Sequence, residues 1–180
     1  VADANRSALY DVEGHDCINA AAVTSACFID LNDGAASQIG LSEFLIAENV
    51  LIEDVFTGDG NDFLTGNEKN NSLNAGRGND RFIASGGDDY IDGGFGYDEI
   101  IYDANYADFE LLQVGNLWNL VDKRSTDIGL HYGRETFKSI EKLVFNDQDY
   151  ELNLTNSQPV LATPIPDISY GSDVIFDYIF

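Results

Sequence analysis

The strongest pattern in the chain is a nine-residue repeat of apolar and polar positions over residues 57–101. Position eight is large and apolar, position six is acidic or asparagine, and glycine concentrates at positions one, two and four. The consecutive repeats read TGDGNDFLT, GNEKNNSLN, AGRGNDRFI, ASGGDDYID and GGFGYDEII. Three residues around position eight suit a short strand with one inward side chain, and the glycine-rich remainder suits a turn with positive φ. The repeat therefore predicts a stack of short strands and tight turns.

Two nonapeptides make one coil of 18 residues with a strand on each side, so equivalent turns recur every 18 residues. Along one edge of the stack lie turns 57–62, 75–80 and 93–98, and along the other lie turns 66–71 and 84–89. Position six then places Asp62, Asp80 and Asp98 in one column. Because stacked strands lie about 4.8 Å apart, these carboxylates would repel one another strongly. A hard divalent cation between turns removes that conflict, and about six oxygen ligands favour Ca²⁺ over Mg²⁺ or Zn²⁺.

The composition agrees with a globular protein that carries an acidic surface. The chain has 32 Asp and Glu against 9 Lys and Arg, for a net charge of −23. Nucleic acids and anionic membranes bind clustered basic residues, so these partners are excluded. The 44% apolar content excludes a disordered acidic tail, and no apolar run reaches the roughly 18 residues of a membrane span. We expect a monomer that forms part of a longer protein.

The nonapeptides resemble the RTX (repeats-in-toxin) family, whose repeat is GGxGxDxUx. GGFGYDEII at 93–101 is the nearest match, and AGRGNDRFI and TGDGNDFLT are close to it. The resemblance implies an all-β fold, a calcium-loaded parallel β-roll or β-solenoid, with N-terminal rungs and a C-terminal antiparallel β cap. It also implies calcium as the ion and secretion by a type I bacterial exporter, and hence an extracellular location that includes the cell surface.

The resemblance also implies two calcium sites along the first edge. The ligands implied between turns 57–62 and 75–80 are the carbonyls of Thr57, Asp59, Gly76 and Gly78 with the carboxylates of Asp62 and Asp80. The ligands implied between turns 75–80 and 93–98 are the carbonyls of Ala75, Arg77, Gly94 and Gly96 with the carboxylates of Asp80 and Asp98. On the opposite edge Lys69 replaces a glycine and Asn71 replaces the aspartate. A third site, which would use Asp89, therefore loses one charge and is expected to be weaker.

Residues 1–56 are predicted to be the N-terminal rungs of the roll. Two stretches, 9–34 and 46–58, are similar to the segment that leads into the β-roll of serralysin-type secreted metalloproteases. Residues 11–16 resemble a worn copy of the aspartate-bearing turn, with Ile18 at the apolar position. In the segment FIDL, Ile29 and Leu31 alternate with outward residues as in a strand.

Residues 102–156 are predicted to be a cap that covers the exposed end of the core. Strands are predicted at 109–114 and 117–122, which form a hairpin, and at 142–147. Trp118 is interpreted as cap core rather than as a sugar-stacking platform. Residues 157–180 contain all three prolines and are predicted to be a linker that leads either into a cadherin-like β-sandwich or into a last strand on the roll.

No catalytic motif stands out in the sequence. His15 and His131 are far apart and neither belongs to an HExxH motif, so the zinc site of a serralysin-type protease is absent. Asp88 and Asp89 are explained better by their repeat positions than as glycosidase carboxylates. Cys17 and Cys27 could form a disulfide in an extracellular protein, but their strand parities differ and favour two separate, partly buried thiols.

Two hypotheses of function remain. The preferred one is a non-catalytic calcium-binding module of a large secreted bacterial protein such as an adhesin, which folds on calcium binding outside the cell and supports secretion and stability. The alternative is the accessory β-roll of a secreted zinc metalloprotease or polysaccharide-modifying enzyme that contacts glycan. In both, a polysaccharide or cell-surface ligand would be bound through the parent protein. An upstream HExxH motif would favour the enzyme, and tandem β-sandwich repeats would favour the adhesin.

Overall fold

The protein is built almost entirely from short β-strands. A computed structural model of the chain describes residues 7–10, 13–124 and 131–152. The strands in chain order are β1 (Ser7–Leu9), β2 (Cys17–Asn19), β3 (Cys27–Asp30), β4 (Ala36–Ile39), β5 (Ser42–Ile46), β6 (Asp54–Phe56), β7 (Phe63–Thr65), β8 (Ser72–Asn74), β9 (Arg81–Ile83), β10 (Tyr90–Asp92), β11 (Glu99–Ile101), β12 (Phe109–Val114), β13 (Leu117–Asp122), β14 (Arg134–Lys138), β15 (Lys142–Val144) and β16 (Asp149–Glu151). A single 3₁₀ turn, Tyr106–Asp108, precedes β12 in the described residues.

The strands form two sheets on either side of one apolar core. In the described residues the first sheet has the order β1-β5-β4-β3-β7-β9-β11-β15-β16, and the second has the order β12-β13-β14-β10-β8-β6-β2. Successive nonapeptides alternate between the sheets, so each strand pairs in parallel with the strand two repeats away. Leu64, Phe82 and Ile100 are adjacent in the first sheet, and Leu73 lies opposite Ile91 in the second. All five are at most 1% exposed, and this arrangement confirms the predicted parallel β-roll.

Before the nonapeptides, strands β2, β3 and β6 extend the roll in parallel. Strand β2 pairs with β6 and β3 pairs with β7, so Ile18 and Ile29 continue the two inward rows. The predicted alternation in FIDL is confirmed, because Ile29 and Leu31 are buried and Phe28 is exposed. Strands β3, β4 and β5 form an antiparallel meander, and β1 adds to β5 in parallel. Residues 11 and 12 of the predicted worn turn lie outside the described residues.

After the nonapeptides, the chain adds antiparallel strands to both sheets. Strands β12 and β13 form the hairpin predicted at 109–122, and β13 pairs with β14. Strand β14 rejoins the roll beside β10, and β15 rejoins it beside β11 and pairs with β16. Trp118 is half-buried and packs against the core, as interpreted. The predicted linker at 157–180 lies outside the described residues, and no helix in the described part of the chain could span a membrane.

The two cysteines are separate thiols, as predicted. The prediction of partial burial is wrong for both, because Cys17 is exposed and Cys27 is buried. Cys17 takes the outward position next to Ile18, whereas Cys27 lies two residues before Ile29 and shares its inward face.

Candidate metal centre

The turns 57–62, 75–80 and 93–98, here called the first edge, stack on one another through their backbones. Asp59, Arg77 and Phe95 are joined by isolated parallel bridges. The Arg77 amide donates to the Gly58 carbonyl at 2.8 Å, and the Phe95 amide donates to the Gly76 carbonyl at 2.8 Å. Each turn is therefore held in fixed register with the turn one coil away.

Two glycines allow the first-edge turns to approach this closely. Gly78 has φ +146° and Gly96 has φ +147°, values that other residues rarely adopt. A Cβ on Gly78 would overlap the carbonyl oxygen of Gly60, and a Cβ on Gly96 would overlap that of Gly78. The carbonyl groups of one turn therefore face the backbone of the next turn, and they could bind an ion that lies between the two turns.

The first-edge aspartates form a ladder in which each uses one carboxylate oxygen. Asp80 Oδ1 accepts from the Asp62 amide at 2.7 Å, and Asp98 Oδ1 accepts from the Asp80 amide at 2.8 Å. Asp62 Oδ1 accepts from the Cys27 amide at 2.7 Å. The second oxygen, Oδ2, of all three aspartates is buried without a hydrogen-bond partner in the described residues. Such orphaned anionic oxygens are costly unless a cation meets them.

The pKa values of the three ladder aspartates are all raised. Burial raises the pKa of Asp80 to about 6, and the neighbouring Asp62 charge adds to that rise. Burial likewise raises the pKa of Asp98 to about 7, with Asp80 and Glu141 as charged neighbours. Burial raises the pKa of Asp62 as well. The fold therefore holds these carboxyl groups in their charged form only with difficulty unless positive charge is added.

All residues predicted to offer carbonyls lie in these same three turns. They are Thr57, Asp59, Ala75, Gly76, Arg77, Gly78, Gly94 and Gly96. Two of their carbonyls already accept hydrogen bonds, that of Ala75 from the Thr57 hydroxyl at 2.9 Å and that of Gly76 from the Phe95 amide. Backbone carbonyls with three orphaned carboxylate oxygens form an oxygen-only donor set, which fits a hard cation such as Ca²⁺.

The second edge, turns 66–71 and 84–89, satisfies its polar groups internally. Asn71 Oδ1 accepts from the Asn67 amide at 2.8 Å, and Asn71 Nδ2 lies within 3.3 Å of the Ile52 and Glu53 carbonyls. Asp89 Oδ1 accepts from the Asn71 amide at 2.8 Å, and its Oδ2 accepts from the Ser85 hydroxyl at 2.9 Å. The structure thus places Asp89 on the edge predicted for it but gives both of its oxygens protein partners.

Sequence reasoning missed three glutamates that occupy position six outside the nonapeptides. They are Glu53, Glu135 and Glu141, each two residues before a buried apolar residue, Val55, Phe137 and Leu143 respectively. Glu141 ends the first-edge ladder, where its Oε2 accepts from the Asp98 amide at 2.7 Å. The available signal in the sequence was an acidic residue two positions before an inward apolar residue. It was missed because these positions hold Glu where the nonapeptides mostly hold Asp.

No group of three or more His, Cys, Asp and Glu side chains that could hold a metal occurs in the described residues. The first edge would supply only two carboxylates to each ion, with carbonyls as the other ligands. His15 is hydrogen-bonded to Asp54 at 3.0 Å, and His131 Nδ1 accepts from the Gly133 amide at 3.1 Å. Both histidines thus have partners away from the first edge.

Comparison with protein families matches the chain to the family described as RTX calcium-binding nonapeptide repeat (4 copies), over residues 53–74 and 65–100. The match confirms the resemblance seen in the nonapeptides, whereas the similarity to serralysin-type proteases stays a prediction. No curated protein is significantly similar to the chain.

RTX repeats are calcium-binding, non-catalytic in themselves and typical of secreted proteins. The matched residues include the aspartates of the first-edge ladder, whose orphaned oxygens call for a cation. Residues 53–100 therefore carry RTX calcium-binding nonapeptide repeats.

Proposed function

We propose that this chain is a calcium-dependent folding module of a secreted protein, with its principal ions between the first-edge turns. The observation that carries the proposal is the row of three buried Oδ2 atoms, on Asp62, Asp80 and Asp98, that lack partners in the described residues. They recur at the coil spacing and at the same position of each turn. Such regular recurrence is explained better by a role as metal ligands than by accidental packing.

Each ion would be held by two adjacent first-edge turns. The proposed ligands of the first ion are Asp62 and Asp80 with the carbonyls of Thr57, Asp59, Gly76 and Gly78. The proposed ligands of the second ion are Asp80 and Asp98 with the carbonyls of Ala75, Arg77, Gly94 and Gly96. Asp80 belongs to both sets, so occupancy of one site orders a ligand of the other. The turn pair 66–71 and 84–89 is left out, because Asn71 carries no charge and its side chain already has protein partners.

Calcium binding and folding would be one process in this module. A bound Ca²⁺ supplies the positive charge that the buried carboxylates lack. Because the ligands come together only in the stacked turns, binding free energy becomes folding free energy. Extracellular calcium modules bind with dissociation constants on the order of 10⁻⁴ to 10⁻³ M, above cytosolic free calcium. The chain would therefore stay unfolded during export and fold outside the cell.

Counting bound ions tests this proposal. Equilibrium dialysis of the full chain against millimolar calcium should show at least two bound ions, and Asp80→Asn should lose two. The matched control Asn61→Asp makes the reverse exchange of amide and carboxylate at an exposed position of turn 57–62. This variant should keep the bound ions. A wild-type chain that binds no calcium, or an Asp80→Asn chain with an unchanged count, would overturn the proposal.

A further inference from the structure

The segment 131–138 continues the second edge beyond the last nonapeptide. Thr136 pairs with Tyr90 across β14 and β10, as nonapeptide strands pair with one another. Gly133 has φ +69°, and a Cβ there would overlap the Gly87 carbonyl oxygen, as one on Gly87 would overlap that of Lys69. HYGRETFK is therefore a turn and strand of the roll, although the β12–β13 hairpin separates it from the repeats.

A ladder of side-chain bonds marks the same continuation. At position five, the Asp88 amide donates to Asn70 Oδ1 at 2.9 Å. One coil later, the Arg134 amide donates to Asp88 Oδ1 at 2.8 Å. Because Arg134 takes position five, Glu135 takes position six and stands beside Asp89. The two acidic residues thus have the register of Asp80 and Asp98 on the first edge, although Glu135 accepts from the Tyr102 hydroxyl and not from an amide of the neighbouring turn.

Glu135 is fully buried and only half satisfied. Its side chain shares the inward face of Phe137, and its exposure is 0%. Oε2 accepts from the Tyr102 hydroxyl at 3.2 Å, whereas Oε1 has no hydrogen-bond partner in the described residues. No lysine or arginine of the described part of the chain forms an ion pair with it.

Asp89 adds a second acidic group at the same place. Its carboxylate is 3% exposed and accepts from the Asn71 amide and the Ser85 hydroxyl. A carboxylate has about four lone-pair positions, so two bonds leave it able to bind a cation. Burial, followed by the charge of Asp89, raises the pKa of Glu135 well above its ordinary value, so the charged form of Glu135 is disfavoured unless positive charge is added.

We propose that a divalent cation with oxygen ligands binds between turn 84–89 and segment 131–135, held by Asp89 and Glu135 and by carbonyls of the two turns. The site rests on the calcium chemistry of the proposed function but on different residues, and it joins the nonapeptides to the strands that follow them. The competing interpretation is a neutral Glu135 hydrogen-bonded to Tyr102, which needs no ion.

The test compares calcium counts of full-length variants by equilibrium dialysis. Glu135→Gln keeps an acceptor for Tyr102 and should bind one ion fewer than the wild type. Glu110→Gln removes the same charge from an exposed position of β12 and should match the wild type. If Asp80→Asn loses ions but Glu135→Gln binds as many as the wild type, the site at Glu135 is refuted while the first-edge sites stand. If the wild type binds no calcium, both proposals fail.

Glu135→Asp serves if the glutamine variant does not fold. This variant keeps the carboxylate but shortens the side chain by one methylene. The calcium dissociation constant of one site should therefore rise by about tenfold, while those of the other sites are unchanged. Terbium luminescence excited through tyrosine gives an independent readout, because the Tyr102 hydroxyl contacts the Glu135 carboxylate. Tyr102→Phe should lower that luminescence at an unchanged ion count. An unshifted Glu135→Asp titration overturns the proposal.

Discussion

The two edges of the roll descend from one nonapeptide pattern and relieve the repulsion between stacked acidic groups in different ways. On the first edge, Asp80 and its equivalents each accept a hydrogen bond from an amide through one oxygen, and the other oxygen has no partner in the described residues. On the second edge, Asn71 removes a charge and brings its own donors, and Ser85 satisfies Asp89. The difference indicates that position six and the residue at position two determine how many carboxylate oxygens of a turn are left without a protein partner.

Calcium removal should give the largest effect and should act first on the first edge. The orphaned oxygens of the ladder would lose their counter-charge, so chelation should abolish most of the far-UV circular dichroism of the strands. At partial calcium saturation, hydrogen exchange should show the Asp62 and Asp80 amides losing protection before the Asn71 amide, because the Asn71 amide donates to Asp89, whose other oxygen accepts from Ser85. Magnesium should not substitute for calcium. Simultaneous loss at all three amides would contradict the difference between the edges.

Exchanging Asp and Asn between the edges should have the next largest effect. Asp80→Asn keeps the acceptor for the Asp62 amide but should lose about 1.4 kcal/mol of stability per ion at calcium tenfold above the dissociation constant. Without calcium it should be no less stable than the wild type. Asn71→Asp loses its donors to the Ile52 and Glu53 carbonyls and should cost about 1–3 kcal/mol with or without calcium. Urea unfolding measures both, and a calcium-dependent loss at position 71 alone would reverse the assignment of the edges.

Close stacking of the first edge can be tested at glycine. Gly96→Ala adds a Cβ that overlaps the Gly78 carbonyl oxygen, at φ +147°, and should cost about 3 kcal/mol and weaken calcium binding. Gly115→Ala is the control, because Gly115 also has positive φ, +66°, but nothing lies within 4 Å of its added Cβ. It should cost about 1 kcal/mol and leave calcium binding unchanged. Equal costs in urea unfolding would show that the turns can separate freely.

Acid should give the smallest effect, with opposite signs in the presence and absence of calcium. In the calcium-free fold, burial raises the pKa of Asp80 to about 6 and that of Asp98 to about 7, above the usual value near 3.9. The folded chain then binds more protons than the unfolded chain, so its stability falls as pH rises through 6 and 7 and is greatest near pH 4. In chelator, the far-UV circular dichroism of the strands should therefore be stronger at pH 5 than at pH 8. In calcium the order should reverse, since protons compete with the ion, and Asp80→Asn should weaken both trends.

The repeat made most of the roll predictable from the sequence. Each inward residue of the nonapeptides has its neighbour at a fixed separation, so the pairing of Leu64 with Phe82 follows from counting. The first-edge aspartates follow from the same count. The departures at Lys69 and Asn71 indicated a weaker second edge, and the structure adds the physical reason, which is internal hydrogen bonding.

The parts that escaped prediction depend on contacts without a fixed spacing. Glu135 joins the second edge only after the β12–β13 hairpin, and its turn keeps Gly133 but has His131 in place of a glycine at position two. A search at the nine-residue spacing of the repeat therefore misses Glu135. The antiparallel meander of β3, β4 and β5 likewise depends on how a non-repetitive segment covers the sheet, which local pattern does not determine.

Alternation between edges makes the coil, and not the nonapeptide, the unit by which this domain can lengthen or shorten in evolution. Deleting residues 84–92 would move Asp98 to the second edge and place β11 against β8 in the other sheet. Every later turn would change edge, and β14 and β15 would each meet the wrong sheet. Loss or gain of two repeats together preserves this parity. Copy number should therefore vary in even steps among descendants of this domain, with odd steps admitted only where the flanking strands change with them.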